Sequence, residues 1–124
     1  MGFLTDRFWW LPFGSVPEVS PKDLQVELAK TRNRPNLLDV RTMSEWKQGA
    51  IKNSVLVPVN VLPRQVNALP FDKDQPVVAI CRSAHRSVGA VRLLKAAGYT
   101  NVRQLAGGML AWQNLNFPTI IPKD

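Results

Sequence analysis

The sequence has few of the residues on which many functional sites are built. Its 124 residues include one cysteine, Cys81, and one histidine, His85. A single cysteine excludes a disulfide within the chain. No apolar run approaches the length of a membrane-spanning helix, and Asp6 and Arg7 interrupt the apolar N-terminal stretch, so no signal peptide is visible. We therefore expect a cytoplasmic protein that needs no metal and no cofactor.

Acidic residues are also scarce. Nine Asp and Glu face sixteen Lys and Arg, which gives a net charge of +7. Such a charge attracts small anions, nucleic acids and anionic lipids without contact-level specificity. The basic residues are scattered and no nucleic-acid-binding motif is present, so we expect a small anionic substrate and no specific nucleic-acid partner.

Apolar patterns of strand and helix type alternate along the chain, which is 45% hydrophobic and of single-domain size. Strands are predicted at 16–19, 37–40, 54–57, 77–80 and 102–105. Helices are predicted at 21–30, 43–48, 62–69, 87–97 and 109–115. Ser20 and Pro21 suit the start of the first helix, Pro70 ends the third, and Gly98 caps the fourth. This alternation predicts an α/β domain with a mainly parallel sheet of about five strands and helices on both faces.

The only cysteine lies between a predicted buried strand and a predicted helix. The run Val-Val-Ala-Ile at 77–80 comes directly before Cys81, and a helical pattern begins at Ser87. The backbone N–H groups in such a turn have no strand or helix partner, so they can converge on an anion at the helix start. These amides and the side chains of Arg82 and Arg86 favour a thiolate. The alternative is that Cys81 is a small buried apolar side chain.

Two groups of motifs carry a resemblance to a known family. The first is CRSAHRS at 81–87, followed by AVRLLKAAGYTNVRQLAGGMLAW; the second is NLLDVR at 36–41, followed by SEWKQGAIKNS at 44–54. Together they resemble the rhodanese-homology (sulfurtransferase) family. The chain departs from the family pattern at Ala50, where histidine is common, and at Trp46, where tyrosine or phenylalanine is usual.

The resemblance implies a rhodanese-like three-layer domain at 15–120, between an aromatic N-terminal extension at 1–14 and a tail at 121–124. It makes Cys81 the sulfur-accepting nucleophile. The substrate- and anion-binding loop around it is formed by Arg82, Ser83, Ala84, His85, Arg86 and Ser87.

A second set of polar residues is predicted beside this loop. Ligands of open parallel sheets bind beyond the carboxyl ends of the strands, where Asp39 with Arg41 and Pro58 with Asn60 would lie. Arg41 and Glu45 are four residues apart, a spacing that suits an ion pair. We interpret Asp39, Arg41 and Glu45 as a structural network that braces the cleft, with a direct role in the chemistry as the alternative.

Two further features each allow two interpretations. His85 is expected at the rim of the loop, where it contacts substrate or tunes the thiol; general-base catalysis is the alternative, although a thiolate needs no base. The pair Gly107-Gly108 is interpreted as the backbone of a tight strand-to-helix turn, with a nearby ligand as the alternative.

The expected function is sulfur transfer through a Cys81 persulfide, from thiosulfate or a related donor. No second cysteine exists in the chain, so the acceptor must be external: cyanide, a thiol or the cysteine of a partner protein. One alternative is a sulfur carrier or docking module that delivers sulfur to a partner. Another is an arsenate reductase or phosphatase, but the resemblance implies that such relatives have one more residue than the four between Cys81 and Arg86.

The N-terminal segment at 3–13 is unusually aromatic. It is expected to cover an apolar face of its own domain, to contact a partner or a second copy of the chain, or to rest weakly at a membrane interface.

Overall fold

A computed structural model describes residues 15–123 as a five-stranded parallel sheet with helices on both faces. The strands are β1 (Glu18–Val19), β2 (Asn36–Asp39), β3 (Val55–Leu56), β4 (Val77–Ile80) and β5 (Val102–Leu105). The helices are α1 (Pro21–Leu28), α2 (Met43–Gln48), α3 (Leu62–Gln65), α4 (Arg86–Ala96) and α5 (Gly108–Asn114). Across the sheet the strands lie in the order β1-β5-β4-β2-β3. The predicted architecture is confirmed.

The first helix begins, and the fourth helix ends, close to the capping residues that the sequence predicts. The Ser20 hydroxyl accepts a hydrogen bond from the backbone N–H of Asp23 at 3.1 Å, with Pro21 at the first helical position, as predicted. The fourth helix ends one residue earlier than predicted, and Gly98, at φ +102°, is the residue after the Ala97 cap.

Two helices are shorter than predicted because their last turns tighten. In α3 the backbone N–H of Ala68 bonds the carbonyl of Gln65, three residues back, so the helix stops well before Pro70. In α1 the N–H of Lys30 bonds the carbonyl of Glu27 in the same way. Such three-residue bonds are common where an α-helix ends.

Both faces of the sheet are buried. Along β4, Val77 and Ala79 belong to one hydrophobic cluster, whereas Val78 and Ile80 belong to another. The first cluster includes Leu62 of α3 and the α4 residues Ala90, Val91 and Leu94; the second includes Leu24 of α1 and the α5 residues Met109 and Trp112. Because successive side chains of a strand point to opposite faces, an uninterrupted apolar run is needed where helices cover both sides.

The carboxyl ends of the central strands lie side by side. The N–H of Val40 donates to the carbonyl of Ile80 at 2.8 Å, and the N–H of Val59 donates to the carbonyl of Val40 at 3.1 Å. The loops that follow β4, β2 and β3 therefore begin next to one another, at the carboxyl ends of the strands. No helix within residues 15–123 is long and apolar enough to cross a bilayer. The predictions for the segment 3–13 concern residues outside the described range, and the domain bounds remain predictions.

Candidate active site

Cys81 is the first residue after β4, and its side chain is only 1% exposed. Its Sγ lies 3.3 Å from the Oγ of Ser87, a residue of the first turn of α4. Its carbonyl accepts a hydrogen bond from the N–H of Met109 at 2.8 Å, and the carbonyl of Arg82 accepts one from Leu110 at 3.0 Å. The start of α5 thus holds the cysteine in place through the backbone.

This contact explains the glycine pair between β5 and α5. A Cβ atom at Gly108 would lie 2.5 Å from the carbonyl oxygens of both Cys81 and Arg82, far inside van der Waals contact. Gly107 and Gly108 also have φ values of +72° and +61°, which disfavour other residues. The interpretation of the pair as backbone accommodation is confirmed.

The loop from Arg82 to His85 crosses from β4 to α4 at the surface. The side chains of Arg82 and His85 are exposed, and those of Ser83 and Ala84 are half-buried. His85 Nδ1 lies 3.0 Å from the Ser83 hydroxyl, which places the imidazole at the rim, as expected. Ala84 has φ +69°, a left-handed conformation that costs a residue with a Cβ about 1–2 kcal/mol. Local strain of this kind often accompanies functional loops.

Arg86, the first residue of α4, forms an ion pair with Glu45 of α2. Its Nη1 and Nη2 donate to the two carboxylate oxygens at 2.7 and 2.9 Å. Glu45 also accepts hydrogen bonds from the N–H and hydroxyl of Thr42, in a capping box at the start of α2. The hydrogen bonds from Arg86, with a smaller contribution from Thr42, lower the pKa of Glu45 from 4.5 to about 2. The pair ties the helix that follows the loop to the helix that follows β2.

The ion pair that the spacing of Arg41 and Glu45 would allow does not form. Arg41 instead pairs with Asp39, through Nε at 2.9 Å and Nη2 at 2.8 Å, and both residues are buried. The remaining bonds of the Arg41 guanidinium go to the backbone carbonyls of Gly49 at 2.8 Å and Glu45 at 3.5 Å. Arg41 therefore joins the end of β2 to the middle and the C-cap of α2. This geometry supports the interpretation of Asp39, Arg41 and Glu45 as a bracing network.

The two arginines of the loop differ in whether their side chains already have a partner. Arg86 is held by Glu45, and its pKa is raised mainly by that hydrogen bond, with smaller contributions from the charges of Cys81 and Asp39. The side chain of Arg82 makes no hydrogen bond or ion pair with any other residue of the described range. The start of α4 has no side-chain cap. An anion at the loop can thus meet the exposed guanidinium of Arg82 and backbone N–H groups that no capping side chain occupies.

A polar pair next to Cys81 was not anticipated. Ser87 donates a hydrogen bond to the side chain of Gln104 at 2.6 Å, and Gln104 in turn donates to Glu18 at 2.8 Å. The one signal for this contact in the sequence is the polar Gln104 within a strand whose neighbours are mostly apolar. Pairing it with Glu18 required knowledge of the strand order.

A cleft elsewhere in the described part of the chain does not involve the loop around Cys81. This cleft of about 550 Å³ lies towards the amino ends of the strands, beside Asn36 at the start of β2. None of the residues from Cys81 to Ser87 lines it. Between residues 15 and 123, no three His, Cys, Asp or Glu side chains come together as a metal site would require.

Comparisons with known proteins agree with this architecture. Residues 20–115 match the rhodanese-like domain family. A sulfurtransferase of Allochromatium vinosum is 35% identical over 108 residues, which cover 87% of this chain and 98% of that protein. A rhodanese-related protein from Thermoplasma volcanium has a similar structure, with a TM-score of 0.77, 26% identity and coverage of 86% of this chain and 100% of that one.

A human single-domain sulfurtransferase, TSTD1, also has a similar structure. Its TM-score is 0.72 at 27% identity, over 81% of this chain and 97% of the human one. The family match covers most of the chain, and the structural similarity extends over nearly the whole length of both solved proteins. The chain therefore belongs to the rhodanese-like domain family.

Proposed function

We propose that this protein is a sulfurtransferase in which Cys81 carries sulfur as a persulfide from thiosulfate, or a related sulfane-sulfur donor, to an external acceptor. The observation that carries the proposal is the position of the only cysteine, which follows β4 and contacts the first turn of an eleven-residue helix. Sulfurtransferases among the relatives of similar length support the reaction class.

The loop provides the means to bind an anionic donor. The Arg82 side chain is exposed and has no partner in the described part of the chain, so its guanidinium is available for a dianion such as thiosulfate. The backbone N–H groups at the start of α4 add further donors without adding a mobile side chain. Buried Arg41 and paired Arg86 are less available, because carboxylates already hold them.

The proposed reaction has two displacement steps. The Cys81 thiolate attacks the outer sulfur of thiosulfate, a new S–S bond forms, and the bond to the sulfonate sulfur breaks with its electron pair, which releases sulfite. An acceptor such as cyanide then attacks the terminal sulfur of the persulfide. Thiocyanate leaves and the thiolate returns, so the cycle needs no oxidant or reductant.

The acceptor is external because the chain has no second cysteine to resolve the persulfide. Cyanide, a small thiol and a protein cysteine all satisfy this requirement. His85 is not needed as a base in either step. Its ring contacts Ser83 at the rim, where it can touch the donor or the acceptor.

Mass spectrometry of the intact protein after exposure to thiosulfate tests the proposal. We expect a gain of one sulfur atom on Cys81, its loss on addition of cyanide, and neither event in Cys81→Ser. A His85→Asn variant is the matched loop control and should still gain sulfur. A wild-type protein that gains no sulfur from any sulfane donor, or a Cys81→Ser variant that still transfers sulfur, would contradict the proposal.

Two rate measurements separate the alternatives. A stable persulfide that cyanide discharges slowly would favour delivery to a partner protein. Hydrolysis of an aryl phosphate at a rate comparable with thiosulfate turnover would favour a phosphatase.

A further inference from the structure

A line of polar side chains runs from the edge of the sheet to the sulfur of Cys81. Its members are Glu18 on β1, Gln104 on β5, Ser87 on α4 and Cys81. Glu18 and Gln104 are direct partners in the register of the two strands. The links are 2.8 Å from Gln104 Nε2 to Glu18 Oε2, 2.6 Å from Ser87 Oγ to Gln104 Oε1, and 3.3 Å from Ser87 Oγ to Cys81 Sγ.

The Glu18 carboxylate at the surface determines which atom donates in each of the next two hydrogen bonds, Gln104 to Glu18 and Ser87 to Gln104. The Glu18 carboxylate can only accept, so the amide nitrogen of Gln104 must face it. The amide oxygen of Gln104 therefore faces Ser87, and because this oxygen can only accept, the Ser87 hydroxyl must donate to it. Ser87 has a single hydroxyl hydrogen, which this bond uses.

The direction of the Ser87 hydroxyl affects the protonation of Cys81, which it contacts. With its hydrogen committed to Gln104, the Ser87 oxygen presents a lone pair to Sγ. A thiol satisfies this contact because its S–H can donate, whereas a thiolate would face the lone pair with no hydrogen between the two atoms. Ser87, Gln104 and Cys81 are all buried, so water does not relieve a mismatch cheaply.

We propose that Glu18 and Gln104 are positioning residues that set the direction of the Ser87 hydroxyl and thereby bias resting Cys81 towards its thiol form. When the thiol loses its proton to solvent, the Ser87 hydroxyl turns from Gln104 Oε1 to the sulfur and stabilises the anion. When the thiolate takes a proton back from water, the hydroxyl returns to Gln104. The part that concerns the persulfide rests on the proposed function, since the Cys81 thiolate is the leaving group when the persulfide is discharged.

The thiolate population of Cys81 measures this effect directly. It is followed by the ultraviolet absorbance band of the thiolate as pH is raised, with the Cys81→Ser protein as the baseline. Gln104→Leu removes the competing acceptor at similar side-chain volume. We expect it to increase the thiolate-to-thiol ratio at a given pH about tenfold, the scale of one hydrogen bond to a charged group.

A double-variant cycle makes the test specific for Ser87. In a Ser87→Ala background no hydroxyl remains to be released, so Gln104→Leu should leave the thiolate-to-thiol ratio unchanged. The proposal is overturned if Gln104→Leu alone gives no increase, or if the same increase appears without the Ser87 hydroxyl. Every variant keeps the nearby charges of Arg86 and Asp39.

A second pair of variants acts at the surface, where folding is less at risk. Glu18→Gln allows the Gln104 amide to turn over and so frees the Ser87 hydrogen. Glu27→Gln removes another carboxylate bound to a β5 side chain, Arg103, but lies outside the line. We expect a several-fold increase in the thiolate-to-thiol ratio for Glu18→Gln only. An equal change in both variants would attribute it to charge alone and would contradict the proposal.

These measurements need no sulfur donor. If no variant forms a persulfide, the proposed function fails while the thiolate measurements still decide the role of Gln104. If persulfide forms, its discharge to cyanide should be faster in Gln104→Leu than in the wild type, because the Cys81 thiolate is the leaving group and the released Ser87 hydroxyl stabilises it. Discharge that is equally fast in both would contradict the extension of the switch to the persulfide.

Discussion

Replacing Glu45 with glutamine removes the ion pair that fixes the start of α4. The wild-type contact is bidentate, with the Glu45 and Arg86 side chains 27% and 33% exposed. The fall of the Glu45 pKa from 4.5 to about 2 corresponds to an upper limit of about 3 kcal/mol. Solvent screening at this exposure reduces the value, so we expect Glu45→Gln to lower the free energy of unfolding at neutral pH by about 1–2 kcal/mol.

The lowered pKa of Glu45 determines how the stability difference between the wild type and Glu45→Gln changes with pH. The pKa of Glu45 is lower in the folded protein than in the unfolded chain, so its stabilising contribution is present above pH 4.5. That contribution is lost as pH falls towards about 2, where the folded protein also binds the proton. Between these limits the wild type should lose more stability than Glu45→Gln, and the two curves should converge at the acid end.

Urea unfolding at a series of pH values measures the difference, and Glu27→Gln is the matched control. Glu27 forms the same bidentate contact with Arg103 at similar exposure, and that contact also lowers its pKa, but neither residue belongs to the loop. Both variants should lose stability. Only Glu45→Gln should also lower kcat/KM for thiosulfate, by about tenfold, because Arg86 and the start of α4 lose their anchor.

Parallel unfolding curves for the wild type and Glu45→Gln across this pH range would refute the stability argument. An equal loss of activity in both variants would refute the link to the loop.

Two other substitutions test the loop and its supports. Arg41→Met should lower the free energy of unfolding by about 3–5 kcal/mol, because Asp39 would remain as a buried carboxylate without its cation. In urea unfolding, the double variant with Asp39→Asn should recover part of this loss. A loss below about 1 kcal/mol in Arg41→Met alone would contradict the reasoning. Ala84→Gly should raise the unfolding free energy by about 0.5–1 kcal/mol, because glycine adopts the +69° φ angle without a Cβ clash but loses more entropy on folding. A decrease in thermal midpoint for Ala84→Gly would show that the left-handed conformation carries no strain.

The central part of the fold could be predicted from local pattern. The bounds of β4 and β5 agree with the structure, because each strand is mostly buried and follows a turn-forming residue, Pro76 before β4 and Asn101 before β5. The position of Cys81 follows from the same pattern, since a strand-to-helix junction after a central parallel strand lies at the functional edge of the sheet.

The side-chain partners could not be predicted in this way. Spacing of four residues brings side chains together within a helix, but Arg41 precedes Thr42, the N-cap of α2, and so lies outside the helix to which the rule applies. The contact of Gln104 with Glu18 spans 86 positions and exists because β1 lies beside β5, an arrangement set by the whole chain.

The distribution of charge around Cys81 also constrains how an anion would be bound. Asp39 neutralises Arg41 in the interior, and Glu45 neutralises Arg86 at the start of α4. The arginines nearest the core therefore hold the loop in shape, while Arg82 at the rim stays available for a substrate. A rim cation in contact with solvent is screened by salt, whereas backbone N–H groups at the buried end of the loop are not. Attraction of a donor should thus depend on ionic strength through Arg82, and stabilisation of the sulfur anion after transfer should depend on the backbone and on the Ser87 hydroxyl.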